Sequence, residues 1–330
     1  MTVDRRHPLL ELEPERIAAM VDEVCPGADV VSSERVTGGR CNTNLRVRLR
    51  GRRGSVLLRV YARGADVAAK ELALCRRLLG VVPVPEARSD RVVTDDLGRP
   101  FALFEWVELP PLEAALAGAD DVTAGAFGRS AGSHLARIAS VRFDRQGDLD
   151  GGLNVRPWHM PGDGSLAGYV TACLALEPVT RRLGARRCDS LASLVAREGW
   201  RLQEASGLPA LVHADFNPTN MLAGGAGSGA HIGCVLDWEF AHAGTTMMDF
   251  GNLLRVHRKL PGAFVDGFLS GYQSLAGPLP GDWRARSLLI DLTAHLEFLT
   301  SEADRGEIHR TALATIDDTL DRWADCLPAC

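Results

Sequence analysis

One aspartate and one asparagine in the C-terminal half of the chain have the types and spacing that phosphoryl transfer from a nucleotide requires. In LVHADFNPTNML, residues 211–222, Asp215 is followed five positions later by Asn220, and Pro218 stiffens the turn between them. Such a reaction needs a carboxylate that orients the acceptor hydroxyl and metal ligands that neutralise the β- and γ-phosphates. A loop with this spacing can direct both side chains into one cleft. The alternative is a surface turn, because Asn, Asp and Pro are ordinary turn residues.

A second motif favours the catalytic interpretation. Asp237 ends the apolar run IGCVLD, twenty-two residues after Asp215. The strand-like segments PALVHA (209–214) and HIGCVLD (231–237) are expected to pair like a hairpin, which would bring Asp237 beside Asn220. Carboxylate and amide oxygens suit Mg²⁺, so the two side chains are predicted to ligate one magnesium ion.

A competing aspartate, Asp249, lies in MDFG, which contains the magnesium-binding tripeptide of protein kinases. The apolar residues around it, between Met247 and Leu254, have helical rather than strand spacing. We therefore expect Asp249 to lie near the N-terminus of a helix and to hydrogen-bond backbone N–H groups or the catalytic loop. Direct metal binding at Asp249 is the alternative.

The elements that must position these residues fall into two groups. The first hundred residues contain three strand-like runs separated by turns, a helical stretch that ends at Gly80, and two more strand-like runs around an LGRP turn. This β-β-β-α-β-β order predicts a small antiparallel sheet with one helix packed on it. Beyond residue 107 long helical patterns dominate, near residues 111–140, 164–178 and 186–205, and the two strand-like segments around the catalytic motifs interrupt them.

The composition is that of an ordinary globular protein. Of 330 residues, 46% are hydrophobic and 24% are charged, and the net charge of −5 gives no basic footprint for nucleic acid. The N-terminal residues lack the apolar region of a signal peptide, and no run approaches the roughly eighteen apolar residues of a membrane span. Eight cysteines without a CxxC pair indicate reduced thiols. We expect a cytoplasmic protein with no membrane or nucleic-acid partner.

The segments LVHADFNPTNML and CVLDWEFAHAGTTMMDFGNLLR resemble the aminoglycoside phosphotransferase and choline kinase-like family, distant relatives of protein kinases. In that family the catalytic loop reads H-x-D-x4-N, the metal-binding Asp opens a D-W/F-E/D stretch, and a further Asp follows in a helix. The resemblance implies a two-lobed, α+β, protein kinase-like fold, with a nucleotide-binding lobe at residues 1–107 and a larger, mainly helical lobe with the catalytic and acceptor sites at 108–330. It implies these roles: Asp215 as catalytic carboxylate, Asn220 and Asp237 as magnesium ligands, His213 and Asp249 as structural residues.

On the nucleotide side, the resemblance implies a phosphate-covering hairpin in VTGGRCNTNLRVRL, with Gly38, Gly39 and Asn42 at its turn. An ordinary hairpin turn is the alternative. SVLLRVYA occupies the position of the strand that bears the family's phosphate-binding lysine, but here the residue is Arg59, and Glu71 would pair with it. Arg is always charged and bidentate, so it can hold a phosphate and a carboxylate at once, although its geometry differs from that of Lys. A plain strand-edge cation is the alternative.

FALFEWVEL resembles the linker between the lobes. There the backbone of Glu105 and Val107 would meet the adenine edge, and Phe104 would form a pocket wall. An aromatic core strand is the alternative.

The acceptor side carries no motif that identifies its ligand. A helical segment at 287–307 contains four carboxylates that would suit an amino sugar or a quaternary amine, or would equally form a solvated helix face: Asp291, Glu297, Glu302 and Asp304. His242 and His295 are expected to be structural.

The sequence thus predicts a Mg²⁺-dependent transfer of the γ-phosphoryl group of ATP or GTP to a hydroxyl of a small molecule. An antibiotic such as an aminoglycoside is the favoured acceptor, and cyclic peptides and macrolides are the other antibiotic acceptors. A metabolic kinase for a sugar, choline or homoserine is the alternative. From another class, an inactive kinase-like binding protein stays open because of the arginine at position 59.

Overall fold

A computed structural model of the chain describes residues 9–36, 41–51, 54–158, 165–202, 207–255 and 259–323. Gly38 and Gly39, two of the residues expected at the phosphate-covering turn, lie outside these ranges. Among the described helices, none is long and apolar enough to cross a membrane.

The N-terminal lobe is built on a five-stranded antiparallel sheet with the order β1-β2-β3-β5-β4. In β2, burial alternates as a sheet with one buried face requires, so that Leu45 and Val47 point inward and Arg48 outward. The strands are β1 (Val30–Arg35), β2 (Thr43–Leu49), β3 (Ser55–Val60), β4 (Val93–Thr94) and β5 (Pro100–Glu105).

Two helices pack against this sheet, where the sequence predicted one. The expected helix is α2 (Ala65–Leu78), and the additional helix is α1 (Pro14–Val24). Pro14 at the first turn starts α1, and its buried residues Ile17, Met20 and Val21 join the core on one face of the sheet. The helical spacing of these residues is visible in the sequence, so α1 could have been predicted from it.

The C-terminal lobe is mainly helical. The pattern near 111–140 forms two helices rather than one, because Gly118, at φ 86°, lies between them. The helices are α3 (Leu112–Leu116), α4 (Asp121–Ala139), α5 (Leu166–Leu174), α6 (Glu177–Glu198, kinked at Gly184), α7 (Met247–Leu253), α8 (Gly262–Ala276), α9 (Trp283–Leu299) and α10 (Gly306–Asp321).

Short strands carry the catalytic segments. They are β6 (Gly147–Leu149), β7 (Val155–Arg156), β8 (Ala210–Val212), β9 (Met221–Gly224), β10 (His231–Val235) and β11 (His242–Gly244). The expected hairpin between PALVHA and HIGCVLD is wrong. β10 pairs with β9, whereas β8 pairs with β11. The expected proximity nevertheless holds, because β9 begins directly after Asn220, and Val235 of β10 lies opposite Met221.

Helices α4 and α8 pack unusually closely because glycines line their contact. A Cβ atom on Gly132 would lie 2.0 Å from the carbonyl oxygen of Phe268, and one on Gly128 would lie 2.1 Å from that of Phe264. Both distances are far below a van der Waals contact, so the helices could not keep this separation with larger residues. The α4 helix also contacts β8 and β10, so this packing supports the strands that carry the catalytic segments.

We expect Gly132→Ala to lower the free energy of unfolding by about 1–3 kcal/mol, because the added methyl group must push backbone atoms of α8 away. Gly125→Ala on the same helix is the matched control, since its Cβ would lie 3.5 Å from the nearest atom. That variant should be neutral or more stable by roughly 0.5–1 kcal/mol, the usual gain of Ala over Gly in a helix. Urea denaturation of the two variants compares them. Equal destabilisation by both would contradict the close-packing argument.

Candidate active site

The loop after β8 presents the carboxylate of Asp215 to the cleft between the lobes. Asn217 Nδ2 donates to Asp215 Oδ1 over 2.7 Å, and Asn220 Nδ2 donates to Oδ2 over 2.7 Å. Both carboxylate oxygens are therefore oriented by amides from the same loop. Asn217 turns the loop as well, because its Oδ1 accepts the backbone N–H of Thr219 over 3.0 Å. Its contribution was not predicted, although the NPTN letters form the Asx-turn pattern that could have revealed it.

His213 braces this loop from the interior. Its Nε2 donates to the carbonyl oxygen of Leu236 over 2.8 Å, and its Nδ1 accepts the backbone N–H of Asp215 over 3.2 Å. Burial lowers the pKa of His213, which keeps the ring neutral with one donor and one acceptor nitrogen. The ring thus links the loop of Asp215 to the segment of Asp237, as the structural role expected for it requires.

Asp249 lies in the first turn of α7 and holds the backbone of the catalytic loop, as its helical surroundings predicted. Its two carboxylate oxygens accept the N–H groups of His213, over 3.0 Å, and Ala214, over 2.8 Å. Burial raises the pKa of Asp249 to about 7, although the two N–H groups oppose this shift. The side chain is fully buried, and it is not among the residues that line the cleft.

Asp237 lies beside Asn220 at the end of β10. The N–H of Leu236 donates to the carbonyl oxygen of Asn220 over 2.8 Å, which fixes the two segments next to each other. Asp237 has a left-handed backbone, with φ 61° and ψ 65°, and its side chain is 30% exposed. This conformation turns the chain sharply after the strand and directs the carboxylate into the cleft.

The oxygens at this point fit a magnesium ion. Asn220 uses its amide NH₂ group on Asp215, and no described residue donates to its Oδ1. Asp237 uses Oδ1 for Arg59, which leaves Oδ2 for another partner. Mg²⁺ is commonly bound by one or two such protein oxygens together with waters and phosphate oxygens. The donor set is therefore of a kind that Mg²⁺ uses, and the magnesium site stays a prediction.

Arg59 joins both lobes at the back of the cleft. Its Nη1 pairs with Glu71 Oε1 over 2.5 Å, its Nη2 pairs with Asp237, and its Nε donates to Asn44 Oδ1 over 3.0 Å. Burial by itself lowers the pKa of Arg59, but the carboxylates of Glu71 and Asp237 outweigh it and raise the pKa. The expected pair of Arg59 and Glu71 is present, and the link to Asp237 was not foreseen.

Glu71 is itself fully surrounded by donors. Besides Arg59, the hydroxyl of Tyr61 donates to its Oε2 over 2.7 Å, and the N–H of Trp238 donates to its Oε1 over 3.3 Å. The carboxylate is 2% exposed, so these three groups take the place of its solvent. Glu71 consequently fixes α2 against the segment that follows Asp237.

The predicted adenine-facing residues lie around the end of β5. Phe104 lines the cleft but is 2% exposed, so it is a wall of the pocket with little free surface. The N–H of Glu105 donates to the carbonyl oxygen of Glu86 over 2.8 Å, so only the carbonyl group of Glu105 is left for a purine. Val107 lines the cleft, and its N–H has no acceptor among the described residues.

Asn42 is not brought into this cleft. Its Oδ1 accepts the N–H of Ala62 over 3.2 Å, and the residue is 5% exposed. Its neighbours Cys41 and Asn44 line the cleft instead. Asn42 lies just before β2, which begins at Thr43, so the alternation of side chains along the strand does not determine its direction.

A buried ion pair beside the catalytic loop was missed entirely. Arg255, just after α7, donates from Nε and Nη2 to Asp291 of α9 over 2.6–3.2 Å, and His295 Nε2 contacts the same carboxylate at 3.0 Å. Burial alone would raise the pKa of Asp291, but Arg255 lowers it well below its usual range. Asp291 is thus not part of a solvated helix face. Glu297, Glu302 and Asp304 are exposed, as that alternative expected.

Glu239 was also overlooked. It lines the cleft two residues after Asp237, is 5% exposed, and its Oε2 has no hydrogen-bond partner in the described part of the chain. Burial raises the pKa of Glu239 to about 7, and the charge of Asp237 adds to this shift. The acidic residue in D-W-E is therefore protonated in part near pH 7.

The cleft as a whole has a volume of about 2120 Å³. Pockets for one small molecule usually measure roughly 300–1,000 Å³, so this cleft has room for a nucleotide and an acceptor side by side.

Comparison with known proteins identifies the family. Residues 33–289 match the model of the phosphotransferase enzyme family. A thermostable mutant of aminoglycoside phosphotransferase APH(4)-Ia, in ternary complex with ADP and hygromycin B, is similar at 14% identity and a TM-score of 0.67, over 92% of this chain and 97% of that chain. The GDP and kanamycin complex of APH(2″)-IIIa is similar at 16% identity and a TM-score of 0.68, over 94% and 98% of the two chains.

A candidate fructosamine-3-kinase from Thermobifida fusca is similar at 21% identity and a TM-score of 0.61, over 94% of this chain and 100% of that chain. At these identities the neighbours establish the fold alone. They confirm the expected two-lobed, α+β, protein kinase-like architecture. Among curated protein sequences, no match was found.

We expect Asp249→Asn to lower the free energy of unfolding by about 1–3 kcal/mol, because an NH₂ group would replace one of two oxygens that accept buried backbone N–H groups. Its affinity for Mg²⁺ with ADP, measured by titration calorimetry, should stay unchanged. Asp237→Asn is the counterpart and should weaken that affinity. The reverse result, in which only Asp249→Asn impairs metal binding, would make the MDFG aspartate the metal ligand.

Arg59→Met should destabilise the protein by about 3–5 kcal/mol, the usual cost of leaving one member of a buried ion pair without its partner. Glu71→Gln added to this variant should recover part of the loss, because the neutral amide still accepts from Tyr61 without an unpaired charge. Thermal unfolding of the two single variants and the double variant measures the coupling. Additive losses would show that Arg59 and Glu71 do not act as a pair.

Proposed function

Because the chain belongs to the phosphotransferase enzyme family, we propose that it transfers the γ-phosphoryl group of ATP or GTP to a hydroxyl group of a small molecule, with Asp215 as the catalytic carboxylate. The observation that carries the proposal is the orientation of both Asp215 oxygens by Asn217 and Asn220, at the point of the cleft where Asp237 and Arg59 meet. In this proposal residues 1–107 form the nucleotide-binding lobe and residues 108–330 the catalytic and acceptor-binding lobe.

Asp215 acts on the acceptor in this reaction. Its carboxylate accepts a hydrogen bond from the acceptor hydroxyl and takes the proton as the oxygen forms its bond to the γ-phosphorus. The bond between that phosphorus and the oxygen bridging to the β-phosphate breaks, and the nucleoside diphosphate leaves with the bridging electron pair. Because the two amides fix the carboxylate in advance, little reorganisation is needed when the hydroxyl arrives.

Asn220 and Asp237 are the proposed ligands of Mg²⁺, through Asn220 Oδ1 and the Asp237 carboxylate. When bound, the ion supplies positive charge to the β- and γ-phosphates.

Arg59 is the proposed contact for the α- and β-phosphates, supported by Glu71. In this proposal Arg59 Nη1 stays paired with Glu71. Nη2, which is paired with Asp237 in this structure, is the nitrogen that binds the phosphates. An arginine fork can serve a carboxylate and a phosphate together, which a lysine does only as a point charge. The carbonyl group of Glu105 and the N–H of Val107 offer the acceptor and donor pair that a purine edge requires, and Phe104 backs that pocket.

The acceptor is a hydroxylated small molecule. The fold neighbours include complexes with hygromycin B and kanamycin as well as a candidate sugar-amine kinase, and an antibiotic acceptor such as an aminoglycoside stays a sequence-based prediction.

Asp215→Asn and Asp237→Asn each test the proposal. Both should reduce nucleoside diphosphate release in the presence of acceptor by at least about a hundredfold, the lower range for loss of a general acid–base group. The melting temperature of Asp215→Asn should change little, because its side chain faces the cleft and an amide keeps its shape, whereas Asp237→Asn should also lower it, because the ion pair with Arg59 is weakened. Asp215→Asn should retain affinity for Mg²⁺ with ADP, whereas Asp237→Asn should lose it. If both variants transferred phosphate at the wild-type rate, the chain would be a kinase-like protein with another role.

A further inference from the structure

Arg255 follows the helix that braces the loop of Asp215. This helix, α7, carries Asp249, whose carboxylate holds two backbone N–H groups of that loop. Met248, Asn252 and Arg255 recur at the spacing of one helix face, and all three line the cleft. The side chain of Arg255 therefore extends from the side of this segment that faces the cleft.

The guanidinium of Arg255 is fixed from behind. Its Nε and Nη2 donate to the carboxylate of Asp291 over 2.6–3.2 Å. Asp291 is buried and is not among the residues that line the cleft, whereas Arg255 is. The carboxylate thus lies behind the guanidinium as seen from the cleft, and it occupies only one edge of the arginine fork. The two N–H groups of Nη1 remain for another acceptor.

No described residue accepts a hydrogen bond from Nη1 of Arg255. The side chain is only 9% exposed, so little water can take the place of the missing partner. A buried donor without an acceptor costs free energy, and an acceptor atom that enters the cleft would recover it. Nη1 is therefore a donor for which the described part of the chain supplies no acceptor.

The position of Arg255 relative to Asp215 shows where such an acceptor would arrive. Burial lowers the pKa of Arg255, but the carboxylate of Asp291 and, after it, that of Asp215 raise the pKa above its usual value. Arg255 is thus within electrostatic reach of Asp215. The other cleft-lining arginine described above, Arg59, is paired with Asp237 instead.

We propose, on the basis of the phosphotransferase function above, that Arg255 is a further catalytic residue, whose Nη1 donates hydrogen bonds to the phosphoryl group as that group reaches the acceptor oxygen at Asp215. Arg255 only donates hydrogen bonds and gives up no proton. The proton of the acceptor hydroxyl still goes to Asp215, and the bridging electron pair still leaves with the nucleoside diphosphate. Arg59 and Arg255 then act at the two ends of the transfer.

The phosphoryl group needs such a donor because it moves towards a carboxylate. Its oxygens and Asp215 are both negative, so their repulsion grows as the phosphorus approaches the acceptor oxygen. Arg255 and Asp291 are neutral as a pair, but the guanidinium is the member on the cleft side, so the pair presents the positive end of a dipole. Asp291 fixes this dipole before the nucleotide arrives, and hydrogen bonds from a guanidinium to phosphate oxygens are strong. Because they strengthen during transfer, they lower the barrier rather than only binding the nucleotide.

The first experiment uses the full-length protein and titration calorimetry. It compares the affinity for ADP with Mg²⁺, or GDP if the wild-type protein prefers it, with the affinity for the same mixture plus aluminium fluoride. Aluminium fluoride stands in for the phosphoryl group in transfer, so the mixture that contains it should bind more tightly. The readout needs no acceptor molecule, and it separates binding of the transferred group from binding of the nucleotide.

Arg255→Lys should lower the affinity for the aluminium fluoride mixture about tenfold or more, because lysine can keep the pair with Asp291 but has no further nitrogen for the cleft. Its affinity for the diphosphate with Mg²⁺ should stay within about threefold of the wild-type value, since that complex lacks the transferred group. Arg305→Lys is the matched control. It changes another arginine that lines the cleft, at the start of α10, and should leave both affinities unchanged.

A second variant separates a lost hydrogen bond from a lost fold. Arg255→Met combined with Asp291→Asn removes the guanidinium without leaving an unpaired buried carboxylate, so the protein should still unfold cooperatively on heating. It should show the same selective loss of affinity for the aluminium fluoride mixture. In both variants kcat for nucleoside diphosphate release should fall about a hundredfold, the usual effect of removing one fixed donor, with the KM of the nucleotide unchanged.

Three results would overturn the proposal. The first is wild-type affinity for the aluminium fluoride mixture in both variants. The second is an equal loss of affinity with and without aluminium fluoride, which would mean that Arg255 only supports the shape of the cleft. The third is an effect confined to the KM of an acceptor, which would make the acceptor the partner of Nη1.

Failure of this proposal is separable from failure of the phosphotransferase function. If the wild-type protein binds the diphosphate with Mg²⁺ and releases nucleoside diphosphate in an Asp215-dependent manner, but the Arg255 variants behave like it, the function stands and the role of Arg255 is wrong. If the wild-type protein binds no nucleotide and releases no nucleoside diphosphate, the proposed function fails, and the role of Arg255 fails with it.

Discussion

The forked guanidinium of Arg59 is the interaction on which the rest of the site depends. It holds Asn44 and Glu71 of the N-terminal lobe and Asp237 of the C-terminal lobe at one point. A buried guanidinium or carboxylate is several kcal/mol less stable without its partner, so these groups are stable only when the lobes meet there. A lysine has one nitrogen in place of the fork and could not hold all three from the same position. Arg59, at the position where the resemblance leads us to expect a lysine, thus also links the two lobes.

The loop that carries Asp215 is held in a conformation that its own sequence does not favour. Ala214 and Asp237 have left-handed φ values of 66° and 61°, which cost an L-residue about 1–2 kcal/mol each. Buried hydrogen bonds offset this strain. Asp249 receives the N–H of Ala214, and His213 binds the carbonyl oxygen of Leu236, next to Asp237. These two backbone conformations direct the side chains of Asp215 and Asp237 into the cleft. The strain is therefore part of the geometry of the site.

The residues of the site that the sequence predicts are those that lie close together along the chain. Asp215, Asn220 and Asp237 lie within one short segment, and strand pairing brings them together, although the partner of β10 is β9 rather than β8. β9 was missed because its letters, MLAG, run directly on from the catalytic motif into a glycine-rich turn. The pair of Arg255 and Asp291 could not be found in this way. Thirty-six positions separate the two residues, and a charge pattern alone does not distinguish a buried ion pair from a solvated helix face.

The elements that hold Asp215 and Asp237 differ from the helices that line the rest of the cleft. The linkage of Arg59, Glu71 and Asp237 and the brace by Asp249 involve β3, α2, β10 and α7. Residues of α5, α9 and α10 line the same cleft. The ion pair between Arg255 and Asp291 connects the two parts, since it joins the end of α7 to α9. Side chains beyond Asp291 on α9 can therefore change without disturbing the loop that holds Asp215.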